Sequence, residues 1–237
     1  EAITYLADRA GGDGRQVLTA LEVAVALAHP GEVVLEHVES ALGTSALRYG
    51  RDDHYDVVSA FIKSMRGSDP QATVYYLARM LEAGEDARFI ARRMIIFASE
   101  DVGLADPGSL QVAVAAAHAL EHVGLPEAQL NLSQAAIHLA TAPKSNRAAL
   151  AIWNARADVQ AGAVGEVPPH LRDAHYQGAK SLGHGVGYDY PHDHPDGYVV
   201  QQYLPAEQAD KRYYEPTDHG AEARVAERME KRMDAEQ

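Results

Sequence analysis

The hydrophobic positions between residues 63 and 107 recur at helical spacing, and they predict two consecutive helices followed by a third. Val74, Leu77, Ala78 and Leu81 follow the three- and four-residue steps of an amphipathic helix, so they share one face of the first helix. The polar positions between them belong to its opposite face. This stretch therefore predicts a helix with one buried side.

The ends of these helices are marked by residues with specific backbone preferences. Asp69 can cap the first helix with its carboxylate, and Pro70 suits the first helical position because no partner there needs its missing N–H. Gly84 can adopt the left-handed conformation that ends a helix. Asp86 caps the second helix, and Asp106-Pro107 repeats the starting signal for the third. Local chemistry thus predicts a helix–turn–helix–turn–helix unit.

The pattern continues as a helical bundle beyond this unit. The second helix places four apolar residues inward: Phe89, Ile90, Met94 and Phe97. Further helices are predicted over 107–123, 126–141 and 145–162, with Gly124 ending the first and Ser145 capping the last. Connections of a few residues indicate antiparallel neighbours.

The two ends of the chain differ in character from this bundle. An apolar helix follows Gly12-Asp13-Gly14-Arg15 and ends at residues 29–31, and a short β-type run at 33–35 leads into a small helix. Residues 163–218 are rich in Pro, Gly, His and Tyr and predict ordered loops, with short strands possible at 197–200 and 211–214. A charged helix follows over 221–233. We expect a mainly α protein with units at 1–48, 49–162 and 163–237, the last loop-rich and tyrosine-rich.

Composition narrows the classes of function. The formal net charge is −13, so the chain should be repelled by nucleic acid unless its cations cluster. It has no cysteine, which excludes disulfides and thiolate metal sites. No apolar run approaches the ~20 residues that span a bilayer. The first residues read as the end of a helix, and we expect the sequence to be a piece of a longer protein.

Three separated blocks carry a family resemblance. The segment 63–107, APKSN at 142–146 and YYEPTD at 213–218 closely resemble the C-terminal region of the RarA/MgsA replication-associated recombination AAA+ ATPases, which are related to the Werner helicase-interacting protein. The resemblance covers nearly the whole chain. It implies a parent ATPase acting at stalled replication forks, with residues 1–48 as the end of the AAA+ lid and the bundle as an oligomerisation domain.

The same resemblance implies roles for residues and partners. Arg15 matches the sensor-2 arginine of the lid, which reaches the γ-phosphate of the nucleotide; a guanidinium at a helix start suits that task. The sequence contains no G-x-x-x-x-G-K-[ST] phosphate loop, so we expect no ATPase activity of the chain itself, with ATP and Mg bound by the parent. A homotetramer, DNA at forks, a single-stranded DNA-binding protein as partner and a cytoplasmic, nucleoid-associated location are also implied.

Two alternatives remain open. Lys63, Arg66, Lys144 and Arg147 would make a direct single-stranded DNA-binding module if they converge, although the net charge disfavours it. The H-x-x-E-H spacing of residues 118–122 could place His118 and His122 on one helix face as zinc ligands of a hydrolase. Because no third ligand is evident, we rank this hypothesis last. The tyrosines of the loop-rich segment are expected to pack it onto the bundle rather than to stack bases.

Apolar surface is in excess over what one bundle can cover. The helices at 107–123 and 126–141 are apolar nearly all round, and a helix of that kind must be covered on every side. Residues 74–81 and 89–97 add further apolar faces. A partner subunit can supply the missing cover, which predicts self-association.

Overall fold

The structure, a computed structural model, describes residues 1–9, 14–42 and 51–234, without the side chains of residues 15, 16, 51–54, 180, 233 and 234. Its described part contains ten α-helices and no β-strand: α1 Ala2–Arg9, α2 Gly14–Ala28, α3 Leu35–Ala41, α4 Arg51–Arg66, α5 Pro70–Glu82, α6 Ala87–Phe97, α7 Gly108–Val123, α8 Ala128–Thr141, α9 Arg147–Gln160 and α10 Glu222–Asp234. The predicted mainly α class is confirmed. No helix among the described residues is long and apolar enough to cross a membrane.

The chain forms two compact units, and each is described by itself. The first contains residues Glu1–Ala98 and Ser109–Ala142, and the second contains Ser99–Gly108 and Pro143–Gln237. A short π-helical turn, Ala98–Val102, and a 3-10 turn, Gly103–Ala105, follow α6.

Helices α1–α3 form a small cluster within the first unit. Its buried core consists of Leu6, Ala20, Ala24 and Val38. The β-type run predicted at 33–35 does not form, because Leu35 already belongs to α3 and the extended Val34 before it has no strand of the described chain beside it. An isolated extended segment lacks the neighbouring backbone that makes a strand.

Helices α4–α8 supply the larger core of the first unit. Helix α5 packs against α4 and α8, and α8 also packs against α4 and α6. The large side chains buried here are Phe61, Met65, Leu77, Ile90, Met94, Phe97, Leu132 and Leu139. Three of the four inward positions predicted for α6 are buried, and Phe89 is half-buried. On the apolar stripe predicted for α5 only Leu77 is buried, because this helix turns Thr73 and Met80 into the core and leaves Ala78 exposed.

The predicted capping residues of α5 and α6 and the glycines that end α5 and α7 are confirmed, whereas α8 begins at Ala128 and not at residue 126. The Asp69 carboxylate accepts a 2.9 Å hydrogen bond from the Ala72 amide, and the Asp86 carboxylate accepts one of the same length from the Arg88 amide. Gly84 and Gly124 follow α5 and α7 with φ of 75° and 74°. These positions require glycine because L-residues rarely adopt that conformation.

The second unit combines α9 and α10 with a long loop-rich segment. Neither possible strand at 197–200 or 211–214 forms, since the chain there is irregular or in 3-10 turns. Side chains fix the segment instead: the Tyr213 hydroxyl donates to the Asp158 carboxylate on α9 over 3.0 Å, and Lys211 pairs with the same group at 2.9 Å. Tyr188, Tyr190 and Tyr203 remain exposed.

Candidate functional site

An open apolar groove lies between α5 and α8 in the first unit. It has a volume of about 210 Å³ and is lined by Val74, Leu77, Ala78, Leu81, Glu82, Gln129, Leu130 and Ser133. Its α5 wall is the apolar stripe predicted from the sequence. Leu77 forms the buried floor, whereas Leu130 on α8 is 69% exposed. The groove and the exposed leucine together form a hydrophobic surface that a partner can cover.

The excess of apolar surface predicted for α7 and α8 is present on several faces. Helix α8 buries Leu132 and Leu139 and exposes Leu130 and Ile137, so it is apolar on opposite sides. Leu110 and Val114 are exposed on α7. In contrast, α6 directs its largest apolar side chains into the core, and its exposed apolar residue is Ile96. Within the α5–α8 bundle, the apolar surface open to a partner therefore lies mainly on α5, α7 and α8.

The residues proposed for nucleotide or DNA contacts are spread along the chain. Arg15 belongs to the first turn of α2, but its side chain lies outside the described atoms, so its role as sensor 2 stays a prediction. Lys63 and Arg66 are exposed in the last turn of α4, where cations complement the helix dipole. They belong to the first unit, whereas Lys144 and Arg147 belong to the second. Their convergence stays a prediction.

Lys144 lies within a packed part of the second unit. Burial lowers the pKa of its ammonium group, while the nearby Asp101 carboxylate acts in the opposite direction. Its backbone carbonyl accepts a hydrogen bond from His219 Nδ1 over 2.8 Å, which assigns the proton to that nitrogen. Lys144 is therefore part of the internal architecture of this unit.

A buried carboxylate organises the same region. Glu222, the first residue of α10, has no exposed surface. Its Oε1 accepts from the Tyr214 hydroxyl at 2.8 Å, and its Oε2 accepts from the Thr217 amide and hydroxyl at 3.2 and 2.5 Å. Burial would raise the pKa of Glu222, but hydrogen bonds from Ser145, Thr217 and Tyr214 outweigh it and lower the pKa below 4.5. Glu222 is thus ionised at neutral pH, and both of its carboxylate oxygens accept hydrogen bonds.

Glu222 binds residues of two of the sequence blocks that carry the resemblance, and backbone hydrogen bonds beside it reach the third. The Ser145 amide donates to the Asp101 carbonyl over 2.8 Å, and the Ala221 amide donates to the Ala105 carbonyl over the same distance. Sequence reasoning missed this cluster because Glu222 lies in a run of charged residues. The adjacent YYEPTD block was the available signal.

The acidic residue of the H-x-x-E-H spacing and a histidine of the loop-rich segment, His194, each have a local partner. Glu121, the acidic residue of the H-x-x-E-H spacing, receives two hydrogen bonds from Arg88 at 2.7 and 2.9 Å. That contact lowers the pKa of Glu121. His194 lies 2.6 Å from the Asp189 carboxylate. Among the described side chains, no group of three or more His, Asp or Glu residues could hold a metal ion.

Family comparisons assign the two parts of the chain. Residues 1–66 match the model described as AAA C-terminal domain, and residues 67–233 match that described as MgsA AAA+ ATPase C terminal. The chain belongs to the MgsA AAA+ ATPase family. The resemblance recognised from the three sequence blocks is thereby confirmed.

Several relatives match this MgsA-family chain over most of its length. An uncharacterized AAA domain-containing protein of Mycobacterium tuberculosis is 56% identical over 98% of this chain and 52% of its own length. The replication-associated recombination protein A of Bacillus subtilis is 47% identical over 93% of this chain and 54% of its own. The ATPase WRNIP1 of Dictyostelium discoideum is 35% identical over 91% of this chain and 27% of its own length. The chain thus spans about half the length of the two bacterial relatives.

Proposed function

We propose that this chain is the oligomerisation and regulatory C-terminal region of an AAA+ ATPase that acts at stalled replication forks. The family match and the printed names of the relatives support a setting in replication, recombination and repair. The parent would bind ATP and Mg through segments outside this sequence, and Arg15 would sense the nucleotide. Fork DNA and a single-stranded DNA-binding protein would be partners of the parent in the cytoplasm, close to the nucleoid.

The observation that carries the oligomerisation role is the groove between α5 and α8. Leu130 is 69% exposed beside a concave apolar surface of about 210 Å³. Burying a leucine side chain fully is worth roughly 1.5–3 kcal/mol, so leaving one in water beside an apolar groove is costly. The arrangement has a protruding side chain and a recess side by side.

A second copy of the chain is the occupant that fits this arrangement. In a two-fold symmetric contact the same patch is used by both subunits. Leu130 of each copy would then enter the groove of the other, so that one surface supplies both halves of the interface. Closed symmetry allows two such dimers to form the tetramer that the family resemblance implies. The exposed residues on α7 are available for the second contact.

Light scattering tests this proposal. A tetramer of the 25.6 kDa chain has a mass of about 102 kDa. Leu130→Asp should lower the mass at tens of micromolar by at least half, because a carboxylate cannot be buried in an apolar groove without a partner. Ile152→Asp on α9 introduces the same charge at an exposed apolar site outside both proposed contact surfaces, where it should leave the mass unchanged.

The outcomes separate the interface from the fold. Unchanged helicity by circular dichroism must accompany the loss of mass, since Leu130 contributes little to the core. If the unsubstituted 237-residue chain is monomeric at tens of micromolar, self-association is refuted. An unchanged mass for Leu130→Asp would refute the groove as its site.

A further inference from the structure

A second groove, in the other unit, is lined by positive charge. It lies between the loop at 194–200 and the last turns of α10, and its volume is about 610 Å³. Arg228, Lys231 and Arg232 line one side, and Tyr198 and Val200 line the other. A cavity of this size accommodates a ligand of one or two nucleotides. None of the cations proposed from the sequence lies here.

The three cations form one face of α10. Residues three and four positions apart are neighbours on a helix, with Cβ atoms about 5–6 Å apart. All three side chains are exposed, and Asp196 is the carboxylate that faces them across the groove. The groove therefore has a local excess of positive charge, although the whole chain carries −13. A local cluster of this kind can attract an anion that the rest of the surface repels.

Tyr198 and Arg232 place two planar groups next to each other in the groove, and we call this pair the planar platform. The Arg232 guanidinium lies over the Tyr198 ring, 5.0 Å from its centroid. Aromatic rings and guanidinium planes both stack on nucleic-acid bases, and base stacking tolerates any sequence because every base has a π face. Phosphate oxygens, in turn, are bound by the guanidinium and ammonium groups of the same helix face.

We propose that this groove binds single-stranded nucleic acid, with phosphates at Arg228 and Lys231 and a base against the Arg232–Tyr198 pair. An acidic peptide would use the cations but would leave the planar platform unused, so the observations favour a nucleic acid. The site differs from the one formed by Lys63, Arg66, Lys144 and Arg147. It requires no self-association, so its failure and the failure of the proposed oligomerisation are distinguishable.

Fluorescence anisotropy with a labelled twelve-nucleotide oligothymidylate tests the proposal on the 237-residue chain. Neutralising up to three phosphates predicts a slope of log K against log salt of about −2, and a dissociation constant of roughly 10–100 µM at physiological salt. The combined Arg228→Gln, Lys231→Gln and Arg232→Gln variant should lose at least tenfold in affinity. Tyr198→Leu should lose about fivefold, and Tyr198→Phe should retain binding because it keeps the ring.

Matched controls decide which site is used. Lys63→Gln combined with Arg66→Gln removes two exposed cations from the first unit, and Arg224→Gln removes one from α10 outside the groove. Both should bind like the original chain. Circular dichroism and light scattering should show unchanged helicity and mass in every variant, which separates a lost site from a lost fold.

Several results would overturn the proposal. One is the absence of binding at 200 µM protein. Another is a loss of affinity in Lys63→Gln with Arg66→Gln but not in the triple variant. A third is effective competition by other anions. If a polyglutamate peptide of equal charge, or inorganic phosphate at equal charge concentration, competes as well as unlabelled oligonucleotide does, the groove is a simple anion site.

Discussion

Replacing Glu222 should weaken the second unit more than any other single change to a charged side chain of α10. The buried carboxylate accepts from Tyr214, from Thr217 twice and from Ser145. A hydrogen bond to a charged group is worth roughly 1.5–3 kcal/mol, and a buried donor left without an acceptor costs about 1–3 kcal/mol. Glu222→Gln turns one acceptor into a donor that faces Thr217, and we expect a loss of about 2 kcal/mol. Glu222→Ala removes all acceptors, and we expect about 4 kcal/mol.

The pH dependence of stability follows from the lowered pKa of Glu222. Its ordinary value is 4.5, and the folded state lowers it. The unfolded chain therefore binds the proton more tightly, so the contribution of Glu222 is fully present above that value. It is lost as the pH falls below 4.5 and through the folded pKa. Glu222→Gln should flatten this part of the stability profile.

Urea unfolding followed by tryptophan fluorescence measures this effect. Trp153, the single tryptophan, lies on α9 in the second unit and is half-exposed, so it reports on this unit directly. With a slope of about 2 kcal/mol per molar urea, Glu222→Gln should lower the midpoint by roughly 1 M at pH 7. Glu227→Gln, an exposed carboxylate of the same helix, is the matched control. A midpoint unchanged within 0.2 M (about 0.4 kcal/mol at that slope) would refute the reasoning.

Two further predictions concern a glycine and the nucleotide. Gly103→Ala should cost about 1–3 kcal/mol in the same assay, because φ is 53° and a Cβ would lie 2.7 Å from the Ser145 carbonyl oxygen. Gly162→Ala, with φ of 89° and open space, should cost less, and equal costs would count against the steric argument. In the full-length parent, Arg15→Ala should impair ATP hydrolysis or nucleotide-dependent switching. Unchanged turnover and nucleotide affinity there would remove the sensor-2 assignment.

The limits of α5–α7 were predictable because their signals are local. Asp69 binds an amide three residues away, and Gly84 adopts its conformation at the end of its own helix. Such contacts depend on a few neighbouring residues, which the sequence displays directly. The four candidate cations, in contrast, were chosen by residue type, which did not distinguish Lys144, half-buried within its unit, from an exposed lysine.

The clusters that matter most depend on distant parts of the chain. Glu222 reads as one more charge in a charged helix, and the cations of α10 read as solvated. Only the folded chain brings Ser145 and Tyr214 to Glu222. Likewise, only the fold places Tyr198 beside Arg232. A buried carboxylate is stable only where donors converge on it, and that convergence is a tertiary property.

Helix α8 shows where sequence pattern ends and packing begins. Its composition determined that it is a helix with apolar residues on nearly every side, and hence that something must cover it. Leu130 and Leu132 are equivalent by type, yet one is 69% exposed and the other is fully buried. Because the polar stripe of this helix is narrow, its periodicity selects the inward side only weakly. The packing of α4, α5 and α6 against α8 made that choice, and so decided which leucine remains exposed.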